Sequence, residues 1–459
     1  MSMDMTKGSP LKLLLTFSIP LLIGNVFQQL YSLVDTLIVG QFVGTQALAA
    51  VGSTGAIYGL INTFLIGLTS GFSILIAQKF GAKDEKSVRY AVASNILLTI
   101  VITIITTIVM LYAVEGFLNF MNTPADVYQY AQDYITIIIA GIFTQSFYNM
   151  AAGILRAIGD SKTPIYFLVL ACIINIVLDL VFIINFGMGV AGAAYATNIS
   201  QGTAAVLCVI YSYRKFELLR LNKQDFEAPK EFYTMHIKIG LPMALQFSIL
   251  FLGIIVLQSA INMFGSDVMA AYTAASKVTQ VIMQPLITYG VAIATYVGQN
   301  IGAGNYKRIR QGVRTISMVS IVTSILAAIF VVNFGKDLAS VFLEDPTPEI
   351  LSYSEQVLNY AVMFFIPLGF IFVYRNTLQS MGKPFMPMIS GIVEMFARVI
   401  VCYTLPPMIG FVGVCLADPV SWVCGASPLF FGYLALLKKM PTDDEVEETS
   451  DEMEIIYES

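Results

Sequence analysis

The chain has 459 residues, of which 57% are hydrophobic and only 12% are charged. Soluble domains carry about 25% charged residues, so this composition excludes an ordinary soluble protein. It also excludes a membrane β-barrel, whose short strands alternate polar and apolar residues. Apolar runs of about 20 residues recur along the whole chain, and this is the length that a helix needs to cross ~30 Å of hydrocarbon. The sequence therefore predicts an all-α polytopic membrane protein.

Twelve apolar runs predict twelve transmembrane helices. They lie near residues 11–39, 51–78, 91–114, 128–155, 164–186, 190–213, 239–264, 268–298, 313–334, 352–378, 386–409 and 411–437. With both termini placed inside, 21 of the 25 Lys and Arg residues fall in inner connections, and only Lys336 falls outside. Because basic loops stay on the cytoplasmic side, this bias predicts a multi-pass protein of the cell (inner or plasma) membrane with both termini in the cytoplasm.

The two halves of the chain repeat each other at a spacing of about 222 residues. Residues 78–89 align with 299–310, and residues 155–164 align with 378–387. Each half has six spans and enters the membrane from the same side, so the repeat is parallel. We therefore expect two pseudo-symmetric six-helix lobes, related by a pseudo-twofold axis along the membrane normal, with a cavity between them.

The repeat and the charged stretches divide the chain into four predicted parts. These are an N-terminal six-helix lobe (1–213), a cytoplasmic basic connector (214–238), a C-terminal six-helix lobe (239–440) and an acidic cytoplasmic tail (441–459). The tail holds nine of the 30 acidic residues of the chain. Because such a composition buries little apolar surface, we expect the tail to be disordered.

Two carboxylates interrupt the apolar spans of the first half. Asp35 lies in the first span, and Asp179 lies in the fifth span, one helical turn after Asn175 and on the same face. Thr197 of the sixth span adds a hydroxyl. An Asp at membrane depth costs about 2.5–3.5 kcal/mol, which favours a functional role over a structural one. The positions of the second half that are equivalent to Asp35 and Asp179 carry no acid.

The chemistry of this group of side chains allows two coupling ions. Oxygen ligands suit a hard cation such as Na⁺. Two close carboxylates repel each other, which raises one pKa and lets the pair hold a proton. The residues alone do not choose between H⁺ and Na⁺. The alternative is that each acid is paired with a nearby donor for structure.

The first span carries a proline within a polar face. Pro20, Gln28, Tyr31 and Asp35 follow one another at helical spacings. A proline removes one backbone hydrogen bond and permits a bend. We expect the first helix to bend at Pro20, and a bend that forms or relaxes would move the Asp35 face. A static proline bend is the alternative reading.

The remaining intramembrane charges predict local pairing. Glu394 and Arg398 lie four residues apart on one helix and are expected to neutralise each other. Arg375 and Lys277 are expected either to line the cavity or to reach toward an interface. The single histidine, His236, falls in the basic connector and is expected to be solvated.

Enzyme motifs are absent from the sequence. It contains no HExxH, no GxSxG and no complete phosphate-binding loop. The five cysteines lie in apolar segments without metal-ligand spacing and are expected to be free thiols. The sequence thus predicts neither an enzyme nor a bound cofactor, and an ion gradient would have to supply energy for transport.

Two motifs resemble the multidrug and toxic compound extrusion (MATE) family. They are VDTLIVGQFVGTQALAAVG at the first span and NMAAGILRAIGDSKTP after the fourth span, and the twelve-span parallel repeat accompanies them. This resemblance implies two lobes arranged as a V around a central cavity. It also implies export of cationic, amphipathic compounds in exchange for H⁺ or Na⁺.

Within that family the chain is similar to the DinF-like branch. The similarity implies a cation site, with a possible Na⁺, at Asp35, Asn175, Asp179 and Thr197. It further implies that Pro20 is the bending proline. Three residues are implied to be polar members of the substrate cavity, namely Gln28, Tyr31 and Asn149.

The sequence taken together predicts a secondary active multidrug efflux antiporter coupled through carboxylates of the N-terminal lobe. Its expected partners are small cationic or amphipathic organic substrates and the lipid bilayer, with no nucleic acid, and the protein is expected to be a monomer. A flippase for lipid-linked precursors, with a similar two-lobe architecture, is the alternative function. A receptor or scaffold that transports nothing is a third possibility.

Overall fold

Long helices make up most of the chain in the computed structural model, which describes residues 3–121, 123–343 and 346–441. The side chains at 30–33, 35–37, 45, 48 and 120 lie outside that description. The helices are α1 (Pro10–Phe42), α2 (Thr45–Gly81), α3 (Glu85–Phe120), α4 (Ala125–Ala140 and Ile142–Ala157), α5 (Thr163–Leu180, followed by a π-helical turn, Val181–Asn185), α6 (Gly189–Lys215), α7 (Lys230–Asn262), α8 (Ser266–Ile282 and Gln284–Gly302), α9 (Tyr306–Ser340), α10 (Pro348–Met363 and Phe365–Ser380), α11 (Phe385–Thr404) and α12 (Phe411–Cys415 and Ala417–Leu437).

Twelve of these elements can cross a membrane. Ten helices of the described chain are individually long and apolar enough, and two bent pairs each make one further span. The prediction of an all-α membrane protein with twelve spans is therefore confirmed. Several helices extend beyond the hydrocarbon core: α2 has 37 residues, which corresponds to about 55 Å against a core of ~30 Å.

The two bent helices occupy equivalent places in the repeat. The halves of α4 meet at Gly141 with a bend of 43°, and the halves of α10 meet at Phe364 with a bend of 50°. These two residues are separated by the same 223 positions that separate Gly159 from Gly382. At the first bend, Asn198 of α6 donates a hydrogen bond to the Ile137 carbonyl at 2.7 Å. The repeat seen in the sequence thus extends to the course of the backbone.

One compact unit of the structure comprises Met1–Met3, Ile19–Ile76 and Glu85–Gln258, of which residues 1 and 2 lie outside the described residues. Within it, α2, α3 and α4 share an apolar core that includes Leu65, Leu118 and Ile135, each fully buried. Glycines let α2 approach α7 closely. A Cβ atom placed on Gly67 would lie 2.8 Å from the Ala244 Cα atom. This agrees with the role that small residues at four-residue spacing have in helix packing within membranes.

The prediction of a solvated His236 is wrong. The helix α7 begins at Lys230, so His236 lies in its second turn and is fully buried. Its Nε2 atom is 3.0 Å from the Ala91 carbonyl oxygen, and its ring packs edge-on against Phe72 with the centroids 5.2 Å apart. Basic neighbours in sequence suggested a polar loop, but the helical period turns this one side chain toward α2 and α3.

A second compact unit comprises Asp4–Ser18, Ala77–Asp84 and Ser259–Ser459, of which the tail from residue 442 onward lies outside the described residues. The N-terminal segment is held by the inner ends of α8 and α9. Met5 is fully buried, its N–H donates to Gln299 Oε1 at 2.9 Å, and its carbonyl accepts from Asn300 Nδ2 at 3.0 Å. Arg308 Nη2 donates to the Gly8 carbonyl at 3.0 Å.

The ends of α2 and α8 cross in this second unit through a reciprocal contact. A Cβ atom on Gly81 would overlap the Gln299 carbonyl oxygen, and a Cβ atom on Gly302 would overlap the Gln78 carbonyl oxygen. These four residues are the repeat-equivalent pairs that align at a spacing of 221. The crossing therefore brings the same motif from both halves of the chain face to face, at a distance that only glycine permits.

Candidate functional site

The fifth and sixth helices place three of the predicted ion-site residues together. Asn175 and Asp179 lie one turn apart on α5 and are both fully buried. The Asn175 amide, in the orientation that satisfies both of its neighbours, donates from Nδ2 to Asp179 Oδ2 at 2.8 Å. Its Oδ1 accepts from the Thr197 backbone N–H of α6 at 3.1 Å. The amide thus links the carboxylate of one helix to the backbone of the next.

The Asn175 amide can face the carboxylate in two ways. With Nδ2 directed at Asp179, the amide stabilises the ionised carboxylate by a charge-assisted hydrogen bond. Rotation of the amide by 180° would instead direct Oδ1 at the carboxylate. Two oxygens facing each other are stable only with a proton or a hard cation between them, because both are acceptors. One amide orientation therefore suits an ionised carboxylate, and the other suits a carboxylate that shares a proton or a cation.

The backbone of α1 runs beside this part of α5. Val34 and Ile38, which flank Asp35, belong to one apolar cluster with Ile176 and Ile183, which flank Asp179. Closer to the N-terminus of α1, a Cβ atom on Gly24 would lie 2.8 Å from Ile165 Cγ1. The two helices are therefore in contact over several turns. The side chain of Asp35 itself lies outside the described residues.

The other predicted residues occupy separate positions. Pro20 lies inside α1, and the helix continues through it from Pro10 to Phe42. Gln28 is exposed on α1, and Asn149 is half-buried on the second part of α4. The Asn149 Nδ2 atom is buried without a hydrogen-bond acceptor among the described residues. The side chain of Tyr31 lies outside the described residues, so its predicted place in the substrate cavity stays a prediction.

A small polar pocket adjoins Thr197 and was not anticipated from the sequence. Besides Thr197, Tyr58, Gln145, Asn198 and Gln201 contribute to its lining. Both glutamines are buried. Gln201 lies one helical turn after Thr197, so the spacing contained a signal for it. Gln145 follows the bend of α4, and nothing local in the sequence links it to α6.

The second unit contains a network of four charged side chains, three of them buried and the fourth, Asp418, 30% exposed. Arg375 Nη2 donates to Glu394 Oε2 at 2.8 Å, and Arg398 Nη2 lies 3.6 Å from Glu394 Oε1. Arg398 Nε also donates to Asp418 Oδ1 at 2.8 Å. The predicted Glu394–Arg398 pair is thus confirmed. Arg375 is buried against Glu394 and does not reach toward an interface, while Asp418, on α12, is a partner that the sequence did not indicate.

The comparisons with known proteins agree with this architecture. The MatE family model matches the chain twice, at residues 20–181 and 242–404. The probable multidrug resistance protein YpnP of Bacillus subtilis (strain 168) is 28% identical over 395 residues, covering 85% of this chain and 87% of the relative. The probable multidrug resistance protein YoeA of the same organism is 28% identical over 437 residues, covering 92% and 93%.

The fold is likewise similar to solved transporter structures. One is described as the outward-facing conformation of a multidrug resistance MATE family transporter of the MOP superfamily. It matches with a TM-score of 0.86 at 26% identity, covering 95% of this chain and 98% of that chain. The two matches of one family model also confirm the internal repeat. The chain therefore belongs to the MatE family of multidrug and toxic compound extrusion transporters, and it is a membrane transporter rather than an enzyme.

Proposed function

We propose that the protein is a secondary active multidrug efflux antiporter that exports cationic, amphipathic compounds in exchange for H⁺ or Na⁺. The coupling ion binds at Asp35, Asn175, Asp179 and Thr197. One observation carries this proposal: Asp179 is fully buried and linked through Asn175 to the backbone of α6. A carboxylate in such a place is costly, and it is retained where an ion or a proton passes.

Ion binding would act on the packing of α1 against α5. Protonation or Na⁺ binding removes the mutual repulsion of the two carboxylates and the cost of burying their charge. The apolar cluster that includes Val34, Ile38, Ile176 and Ile183 can then tighten or slide. We propose that a bend that forms or relaxes at Pro20 transmits this change to the substrate-facing residues of α1. Gln28, Tyr31 and Asn149 are the residues that we assign to substrate contact.

The same proposal includes the placement of the chain in the cell. The bias of basic residues supports insertion in the plasma membrane with both termini in the cytoplasm. The transport lobes are residues 1–213 and 239–440, joined by the basic connector 214–238 and followed by the acidic tail 441–459. The protein acts as a monomer on small organic substrates and has no nucleic-acid partner.

The flippase alternative requires several cations that are available to bind a lipid phosphate. Three intramembrane cations were candidates. Arg375 and Arg398 are ion-paired with Glu394 and Asp418 in a buried network. Lys277 is exposed on α8. Because two of the three candidates are neutralised within the protein, the antiporter is the better supported function.

The proposal predicts that efflux depends on both acids. In proteoliposomes loaded with a fluorescent cationic dye, an imposed H⁺ or Na⁺ gradient should drive export by the wild-type protein. Asp35→Asn and Asp179→Asn should each reduce gradient-driven export to the level of protein-free vesicles, because Asn cannot take up a proton or neutralise a cation. Imposing the two gradients separately identifies the ion.

Asp267→Asn supplies the matched control, because Asp267 is an exposed acid at the start of α8. It should export dye at the wild-type rate. Wild-type rates in both Asp35→Asn and Asp179→Asn would contradict the proposed coupling site. A wild-type protein that moves no dye under either gradient would favour the receptor or scaffold reading.

A further inference from the structure

The buried network of the second unit stands at the position that the candidate ion site occupies in the first unit. With the spacing of 223 that relates residues 155–164 to 378–387, Asn175 of α5 corresponds to Arg398 of α11. With the spacing of 221 that relates Gly192 to Gly413, Thr197 of α6 corresponds to Asp418 of α12. In the first unit, Asn175 is hydrogen-bonded to Thr197. In the second unit, the equivalent residues Arg398 and Asp418 are also bonded to each other.

A hydrogen bond repeated in both units supports this alignment. Ser200 Oγ donates to the Thr197 carbonyl at 2.9 Å, and Ser421 Oγ donates to the Asp418 carbonyl at 2.7 Å. Ser200 and Ser421 are themselves separated by 221 positions. The same side chain thus makes the same bond to the preceding turn in α6 and α12. The bond is a common one within helices, and its occurrence at both serines agrees with the alignment of Thr197 with Asp418.

The two equivalent sites differ in the side chain that is bonded to the acid. In the first unit, Asp179 accepts from the neutral amide of Asn175. In the second unit, the Arg398 guanidinium donates to Asp418 at 2.8 Å and lies 3.6 Å from Glu394. Arg375 completes the charge balance of Glu394 at 2.8 Å. An arginine stays charged at all relevant pH values, so this cation cannot leave.

We propose that the second unit contains a cation site for H⁺ or a small monovalent cation, and that the chain fills it permanently with the guanidinium of Arg398. This inference deepens the proposed function, because it restricts exchangeable ion binding to the first unit. Arg398 would act as a tethered cation at the place where the first unit exchanges a free one. Removing it would leave Asp418, whose side chain is 30% exposed, without its partner and accessible to ions from solution.

The test is cation-dependent stability of the full-length protein after Arg398→Asn, which installs the amide of the first unit. All variants carry Asp35→Asn and Asp179→Asn, so that neither acid of the first site contributes. The melting temperature in detergent is measured against NaCl concentration at high pH, against choline chloride at the same ionic strength, and against pH without Na⁺. A ligand that binds the folded state raises stability with its concentration.

The Asp35→Asn, Asp179→Asn protein with native Arg398 gives the baseline dependence of the melting temperature on Na⁺ and on pH. Adding Arg398→Asn should make the melting temperature rise more steeply than this baseline with Na⁺ or with acidity, consistent with about one additional bound ion per molecule. Adding Asp418→Asn as well should restore the baseline, and Arg398→Lys, which keeps the charge, should not depart from it. A response of the Arg398→Asn protein equal to the baseline, or a steeper response that persists without Asp418, would overturn the proposal.

Failure of this proposal and failure of the proposed function give different results. If Asp179 is not the coupling site, dye export survives Asp179→Asn. The ion dependence of the melting temperature that Arg398→Asn introduces is then unaffected. If the second unit holds no latent cation site, export still depends on Asp179, and no response is gained. Should Arg398→Asn prevent folding, the Arg398→Gln variant keeps more side-chain volume and tests the same prediction.

Discussion

Glu394→Gln is expected to lower the free energy of unfolding by about 3–5 kcal/mol, the cost of leaving a buried ion pair without one partner. Glu394 accepts from Arg375 at 2.8 Å and lies 3.6 Å from Arg398, and all three side chains are at most 8% exposed. Glutamine keeps the size of the side chain but removes its charge. Arg375 would then lose the carboxylate that it is bonded to, and Arg398 would keep only that of Asp418. Thermal unfolding in detergent measures the loss.

A second variant separates charge balance from packing in this network. Arg375→Gln combined with Glu394→Gln removes one charge of each sign and leaves the Arg398–Asp418 pair intact. This double variant should recover most of the stability lost in Glu394→Gln, because replacing both members of a buried pair is far less costly than removing one. Glu349→Gln, at an exposed acid of α10, is the control and should change stability little. Equal losses in Glu394→Gln and Glu349→Gln would contradict the assigned role of the network.

Gly81→Val is expected to destabilise the protein by about 1–3 kcal/mol or more through overpacking. A Cβ atom at Gly81 would overlap the backbone carbonyl of Gln299, and backbone cannot rotate away as a flexible side chain can. The reciprocal variant, Gly302→Val, should have a similar effect, because its Cβ atom would overlap the Gln78 carbonyl. The measurement is again the melting temperature in detergent.

Gly55→Val is the matched control for this crossing. Gly55 lies in the same helix, α2, but a Cβ atom there meets nothing within 4 Å. Both substitutions add the same side chain to the same helix, and only the one at Gly81 meets the Gln299 backbone. A melting temperature of Gly81→Val equal to that of Gly55→Val would show that the crossing does not require glycine.

The sequence alone was sufficient to predict the fold class, because the fold class depends on the local pattern of polar and apolar residues. The cost of placing polar groups in hydrocarbon determines how long an apolar run must be, so the twelve spans could be counted from composition. The repeat was visible because glycine, proline and glutamine recur at fixed spacings, and those residues set the bends and close approaches of helices. Asn175 and Asp179 could be placed on one face because helical periodicity is fixed.

The partners of those residues were decided by the tertiary structure alone. His236 meets the Ala91 carbonyl, and Asp418 of α12 accepts from Arg398. Both contacts depend on how helices that are distant in sequence rotate against each other. Neither rotation follows from local periodicity, since an apolar helix in a membrane has no strongly polar face to orient it. The sequence by itself therefore determined how many helices cross the membrane and where the unusual side chains lie along them. Only the packing of one helix on another decided which charged side chains are paired and which polar groups face Asp179.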